Sequence, residues 1–122
     1  MVLDTLVIRD EDCTGKLLNQ FEIQLSTSVL TLRDVITERV FQEVEIYRAG
    51  TTALPYTLVS RETQAIYTID YEQERFNALR GFAENGYLVL INDRQVESLD
   101  ETLSLQNAAT VTFIRLVPIV GG

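Results

Sequence analysis

Along this chain apolar and polar residues first alternate, then cycle with a helical period, then alternate again. Residues 2–9, Val-Leu-Asp-Thr-Leu-Val-Ile-Arg, are rich in aliphatic side chains and predict a first strand. Asp10-Glu-Asp-Cys-Thr-Gly15 reads as a turn punctuated by its acids and by Gly15. Over Leu18–Leu25, Phe21, Ile23 and Leu25 alternate with Gln20, Glu22 and Gln24, the period-two pattern of a half-buried strand. These two strands make an N-terminal hairpin. The period then lengthens, and Leu32, Val35, Ile36, Val40, Val44 and Tyr47 form one stripe. Thr31 is a good N-cap, Asp34 lies in the first turn where the helix dipole favours an acid, and Gly50 is a natural stop. A helix over 31–49 is therefore predicted, packed on the hairpin.

Beyond Gly50, Tyr56–Ser60 and Ala65–Ile69 read as two short strands around Arg61-Glu-Thr-Gln64. Asp70 is placed to cap a helix over 71–84 with Phe76, Leu79, Phe82 and Ala83 on one side, ended by Asn85-Gly86. Tyr87–Ile91 is a strand, Asn92-Asp-Arg-Gln95 a turn and Val96–Leu99 a short strand. Asp100-Glu-Thr-Leu103 reads as one helical turn capped by Asp100, and residues 110–120 as the last strand. The expected class is α+β, in one domain.

Composition narrows the function classes. The 122 residues are 46% hydrophobic and 23% charged, enough for one real core. The formal net charge of -8 would repel a phosphate backbone, so nucleic acid is a poor partner and a basic protein groove a better one. No apolar run approaches a bilayer span, and Met1–Thr5 does not resemble a secretory signal, so no membrane association and a cytoplasmic location are expected. There is no histidine, which removes the commonest general base and the usual zinc ligands. Cys13, the single cysteine, lies among three acids that disfavour its thiolate. Acids such as Glu72, Glu74, Asp100 and Glu101 stand beside no nucleophile or metal ligand and read as surface residues, so an enzyme is not expected.

The distinctive chemistry is in Leu116-Val-Pro-Ile-Val-Gly-Gly122. Glycine has no Cβ, so a diglycine lies extended in a narrow channel and adopts backbone angles closed to other residues. A carboxylate there is a handle that another protein's active site could take.

The order hairpin, helix, returning strands resembles the ubiquitin-like β-grasp family. The likeness is closest over Tyr87–Gly122, with its strand, polar turn, Val96-Glu-Ser-Leu-Asp-Glu-Thr-Leu103, final strand and diglycine. It is looser over residues 1–50 and absent over 51–86. The Pro118-Ile-Val120 segment is similar to the tails of the molybdopterin-synthase small subunit and related thiamine-type sulfur carriers, and bacterial ubiquitin-like modifiers look similar too.

The resemblance implies one β-grasp domain over 1–122, a mixed sheet on one main helix, with an inserted hairpin and helix over 51–86 and a diglycine tail over 117–122. It implies that a partner adenylates the Gly122 carboxylate with ATP and magnesium; this chain binds no cofactor and has no Gly-rich loop to hold a nucleotide. Pro118, Ile119, Val120 and Gly121 would be recognised with it. The acyl adenylate then has two fates: a thioester on the activating enzyme and conjugation to target proteins, or a thiocarboxylate that delivers sulfur to cofactor biosynthesis. A non-covalent adaptor is the third reading. The added 51–86 surface suits a conjugating enzyme, a deconjugating protease or self-assembly, so the modifier is the leading expectation. Lys16, the only lysine, is the side-chain amine through which copies could be joined. Leu90, Ile114 and Leu116 are expected on the outer sheet face as an apolar partner patch, unless the insertion covers them, while Val111 and Phe113 face the core. Asp93 and Arg94 are expected to be solvated.

Overall fold

The computed structural model describes residues 4–25, 29–49, 58, 70–105 and 109–116. The architecture is α+β, with a mixed sheet and two helices, compatible with a β-grasp-like fold. The strands β1 (Asp4–Asp12), β2 (Leu17–Leu25), β4 (Tyr87–Ile91), β5 (Arg94–Val96) and β7 (Ala109–Arg115) form a five-stranded sheet in the order β2-β1-β7-β4-β5. The β1–β7 pair is parallel and the other three pairs are antiparallel. A two-stranded sheet joins β3 (Val29–Thr31) to β6 (Thr102–Ser104). The helices are α1 (Leu32–Arg48) and α2 (Tyr71–Ala83).

One face of the sheet is buried against the helices because the strand period puts its apolar residues there. Leu6, Ile8, Ile23, Leu25, Val89, Val111 and Phe113 are at most 3% exposed, and Leu32, Val35, Ile36, Val40 and Val44 of α1 close over them. The expected inward placement of Val111 and Phe113 therefore holds. The α1 start matches its signal: Thr31 accepts from the Asp34 N–H and Asp34 accepts from the Thr31 N–H, both at 3.2 Å, a reciprocal capping box. The helix ends at Arg48 with Ala49 as its C-cap; Gly50 and the strands expected over 56–60 and 65–69 lie outside the described residues, apart from Leu58.

Several expectations change. The first strand runs to Asp12, not residue 9, because Asp10 faces inward on the same side as Leu6 and Ile8 and pairs there with Arg39. The turn expected over Asn92–Gln95 is shorter: Asn92 and Asp93 alone, both left-handed (φ 47 and 71), close a two-residue hairpin, so β5 occupies 94–96 instead of 96–99. Asp100–Leu103 is not a helical turn. Leu103 and Leu105 are buried while Thr102 and Ser104 are exposed, a strand alternation that pairs with β3 and steadies the start of α1, where Arg33 N–H donates to Leu99 O at 2.9 Å. The last strand is described to Arg115, and residues 117–122 lie outside the described set.

Asp70 caps α2 as expected, accepting from the Gln73 N–H at 3.2 Å. Its buried side differs from the expected one. Leu79 is buried and Phe82 half-buried, but Ala83 is exposed and Phe76 is 58% exposed; Glu74 and Ala78 take the inner positions. Thus α2 packs antiparallel on α1, with Arg75 Nε donating to Thr37 Oγ1 at 3.1 Å and Tyr71 edge-on to Phe41. It reaches the sheet through Tyr87, whose hydroxyl donates to Ala78 O at 2.6 Å. Among the described residues the main helix and the inserted one are therefore both present, and they pack on each other.

Candidate functional site

The strand β7 is the middle of the five, bonded to β1 on one side and β4 on the other. At its C-terminal end Arg115 lies opposite both Asp12 and Tyr87, and the Leu116 N–H donates to Gly86 O at 3.2 Å. The chain therefore leaves the sheet toward Gly122 beside the β4 start and at the same end as the β1–β2 turn. Gly122, Gly121, Val120, Ile119 and Pro118 themselves lie outside the described residues.

The β1–β2 turn presents Lys16 and Cys13, both exposed. Asp12 builds it: its Oδ1 accepts from Thr14 N–H (2.8 Å), Thr14 Oγ1 (2.6 Å) and Lys16 N–H (3.0 Å). Gly15 supplies the left-handed residue at φ 91. The Thr14 hydroxyl, then the Lys16 N–H, hold the Asp12 carboxyl below its ordinary pKa. Lys16 is tied through its backbone, which leaves its ammonium side chain outside the turn's hydrogen bonds.

On the outer sheet face the structure brings Ile114 opposite Leu88 and Leu90 opposite Thr112. Leu90, Ile114 and Leu116 are all half-buried, and so is Leu88, which sequence reasoning did not name. Its period-two relation to Leu90 was the available signal. The described part of the insertion does not cover this face. Helix α2 contacts α1 and the inner ring of Tyr87, and the Leu58 N–H donates to Glu43 Oε2 on the helix side at 3.1 Å. Asp93 and Arg94 are exposed, with Arg94 paired to Glu101 at 2.7 Å.

A buried ionic network lies under the same end of the sheet. Arg39, fully buried, donates through both terminal nitrogens to the two carboxylate oxygens of Asp10, and its Nε donates to Glu43 at 2.7 Å. Asn19 donates to Asp10 at 3.2 Å, and the Arg39 guanidinium lies 4.5 Å from the Phe113 ring centre and 5.4 Å from that of Phe21. Burial alone would disfavour the charged guanidinium, but the Asp10 hydrogen bonds and the Glu43 and Asp10 charges outweigh it and raise the Arg39 pKa. Arg39 and Glu43 stand four apart inside the apolar stripe of α1, the one hint the sequence carried. Of the acids expected at the surface, Glu72 and Asp100 are exposed and Glu101 is half-buried, but Glu74 is only 3% exposed because it shares the inner side of α2 with Ala78.

Among the described residues no cluster of histidine, cysteine or carboxylate side chains could hold a metal ion, and no helix is long and apolar enough to cross a membrane. Comparison with known proteins finds no family model, no curated protein and no solved structure that matches the chain. Function has to be read from the residues and their arrangement.

Proposed function

We propose that this chain is a ubiquitin-like modifier of β-grasp fold, activated at Gly122 and conjugated to target proteins. The observation that carries the reading is the strand order β2-β1-β7-β4-β5 with a parallel β1–β7 pair, because it makes the strand leading to Gly121-Gly122 the centre of the sheet. A tail rooted there is anchored on both sides, so binding forces on it are borne by the whole sheet. Six residues follow Leu116 and span at most about 20 Å, so an enzyme acting on Gly122 must sit close to the β4 start and the β1–β2 turn.

A carboxylate resists acyl transfer until its oxygen is made a leaving group. In this reading a partner enzyme supplies ATP and magnesium, forms the acyl adenylate with release of pyrophosphate, and takes the acyl group onto its own cysteine, with AMP leaving. This chain contributes the Gly122 carboxylate, as encoded or after cleavage of a longer precursor. The half-buried Leu88, Leu90, Ile114 and Leu116 offer the partner an apolar surface beside the tail root. The helix α2 adds surface that a sulfur carrier would not use, which favours the modifier.

The test is intact mass spectrometry after incubation with an adenylating enzyme encoded nearby, ATP-Mg and sulfide. Thioester adducts cleaved by thiols, then stable adducts of higher mass, support conjugation. Replacement of one oxygen by sulfur on this chain alone would make it a sulfur carrier instead. An inert Gly122 in a folded sample leaves the non-covalent adaptor. If copies join to each other, Lys16→Arg removes the side-chain amine while keeping the backbone bonds of its turn, and the multimers are expected to disappear or to shift to the N-terminal amine.

A further inference from the structure

We infer that the first acceptor of an activated Gly122 is Lys16 of the same chain, so that the protein closes on itself through an amide and caps its own tail. The inference rests on activation at Gly122 and adds where the acyl group goes when no target is bound. Both ends of the link are held. On the tail side, Arg115 is in register with Asp12 and the Leu116 N–H donates to Gly86 O at 3.2 Å, so the tail is rooted on the sheet. On the acceptor side, the Asp12 N–H donates to Lys16 O at 3.0 Å and Asp12 Oδ1 accepts from the Lys16 N–H at 3.0 Å, which fixes the Lys16 backbone across from Asp12. Lys16 itself is exposed. The order β2-β1-β7 then puts Lys16 two strand spacings from the tail root, about 10 Å.

Reach favours this amine over the others. The six residues after Leu116 extend to at most about 20 Å, roughly twice the gap, and the four-carbon stem of lysine shortens the gap further. Lys16 is the only lysine. The start of β1 lies at the far end of the parallel β1–β7 pair, because the nine residues Asp4–Asp12 extend over about 26 Å. A link that spans its two sites gives the second group an effective concentration on the order of millimolar, so at micromolar protein the chain's own amine outcompetes another copy's by about a thousandfold. In the step, the neutral Lys16 Nζ attacks the Gly122 carbonyl carbon of the thioester. The C–N bond forms, the C–S bond breaks, and the departing thiolate takes the amine proton. The product has lost one water relative to the free acid and no longer carries the Gly122 carboxylate.

The test uses the full chain prepared as a small-thiol thioester at Gly122, so no activating enzyme is needed. Its intact mass is expected to settle at one water below the free acid, at a rate independent of protein concentration. A tryptic digest is expected to show Leu116–Gly122 joined to the peptide that contains Lys16. Measured against the bimolecular rate with Nα-acetyl-lysine, the effective concentration is expected to be on the order of millimolar. It should fall at least about tenfold in concentrated urea, where about a hundred residues of open chain separate Lys16 from Gly122. Lys16→Arg is expected to hydrolyse without closing. Lys16→Arg with Gln24→Lys, which moves the lysine to an exposed position near the far end of β2, is expected to do the same. Circular dichroism of each variant reports its fold. Hydrolysis of the wild type without closure, closure unslowed by urea, closure of the Gln24→Lys variant, a thiol-cleavable ring on Cys13, linkage to Met1, or joined copies in place of rings would each overturn the inference. An activating enzyme that fails to charge Gly122, while the thioester still closes, would instead sink the modifier reading and leave the Lys16 geometry standing.

Discussion

Replacing Asp10 by asparagine probes the buried network at nearly constant volume. In the wild type both Asp10 oxygens accept from Arg39, the Nη2–Oδ2 bond at 2.7 Å, and all the groups are fully buried. An asparagine keeps one acceptor and turns an amide NH2 toward a guanidinium that can only donate. One charge-assisted bond is lost, about 1.5–3 kcal/mol, and one buried donor is left without an acceptor, about 1–3 kcal/mol. The sum agrees with the 3–5 kcal/mol or so that follows breaking a buried ion pair. A partial offset exists, because Asp10, Glu43 and Arg39 together sum to one negative charge and the variant makes the remaining pair neutral. We therefore expect about 3 kcal/mol, the low end of that range.

A chain of 122 residues has roughly 6–18 kcal/mol in total, so the variant folds but its urea midpoint falls by about 1–2 M. Equilibrium urea unfolding followed by circular dichroism reads this directly. A midpoint within about 0.3 M of wild type at unchanged slope would refute the reasoning, because it would mean the two Arg39 bonds add nothing beyond solvent. The companion is a triple replacement, Asp10→Leu, Arg39→Met and Glu43→Gln, in which the glutamine still offers an acceptor to the Leu58 N–H. Removing all three charges together should recover most of the loss, to within about 1 kcal/mol of wild type.

The two glycines that bring α2 against β4 should behave oppositely in the same assay. A Cβ at Gly86 would meet the Gly81 carbonyl oxygen at 3.1 Å, so Gly86→Ala is expected to cost about 1–2 kcal/mol. At Gly81 the nearest atom is a Tyr87 ring carbon at 3.4 Å, an ordinary contact, and the helical position favours alanine, so Gly81→Ala should gain up to about 1 kcal/mol. Thr31→Ala removes the side-chain half of the α1 capping box and should lower the unfolding free energy by about 1 kcal/mol. The Asp12 turn predicts a pH effect: because the folded carboxyl pKa is lowered, its stabilisation is complete above the unfolded value near 3.9 and is lost as pH falls through the folded value. Protection of the Thr14 and Lys16 amides, measured by exchange from pH 6 downward, should fall in that acid range in the wild type, and Asp12→Ala should already lack it at pH 6.

What could be read in advance was what depends on neighbours a few residues away. The capping box at Thr31 and Asp34, the Asp70 cap and the alternation over Phe21–Leu25 are local patterns, and each formed where its pattern lies. The misses share a different origin. Asp10 reads as a turn residue because carboxylates are solvated in most chains; it continues a buried strand only because Arg39, 29 residues away, neutralises it. Likewise Thr102–Ser104 is too short to announce itself as a strand, and it forms because Val29–Thr31 offers it an edge. For α2, periodicity placed Phe76 inside and left Glu74 at the surface, yet the packing of Tyr71 and Arg75 on α1 rotates the buried face so that Glu74 and Ala78 join Leu79 inside and Phe76 is left out. The same distinction governs the candidate sites. Leu90, Ile114 and Leu116 could be placed on one face from period two alone, whereas pairing Ile114 with Leu88 needed the β4–β7 register. Chemistry carried by a short run of residues can thus be proposed from the chain itself, while recognition surfaces built across strands emerge with the register that aligns them.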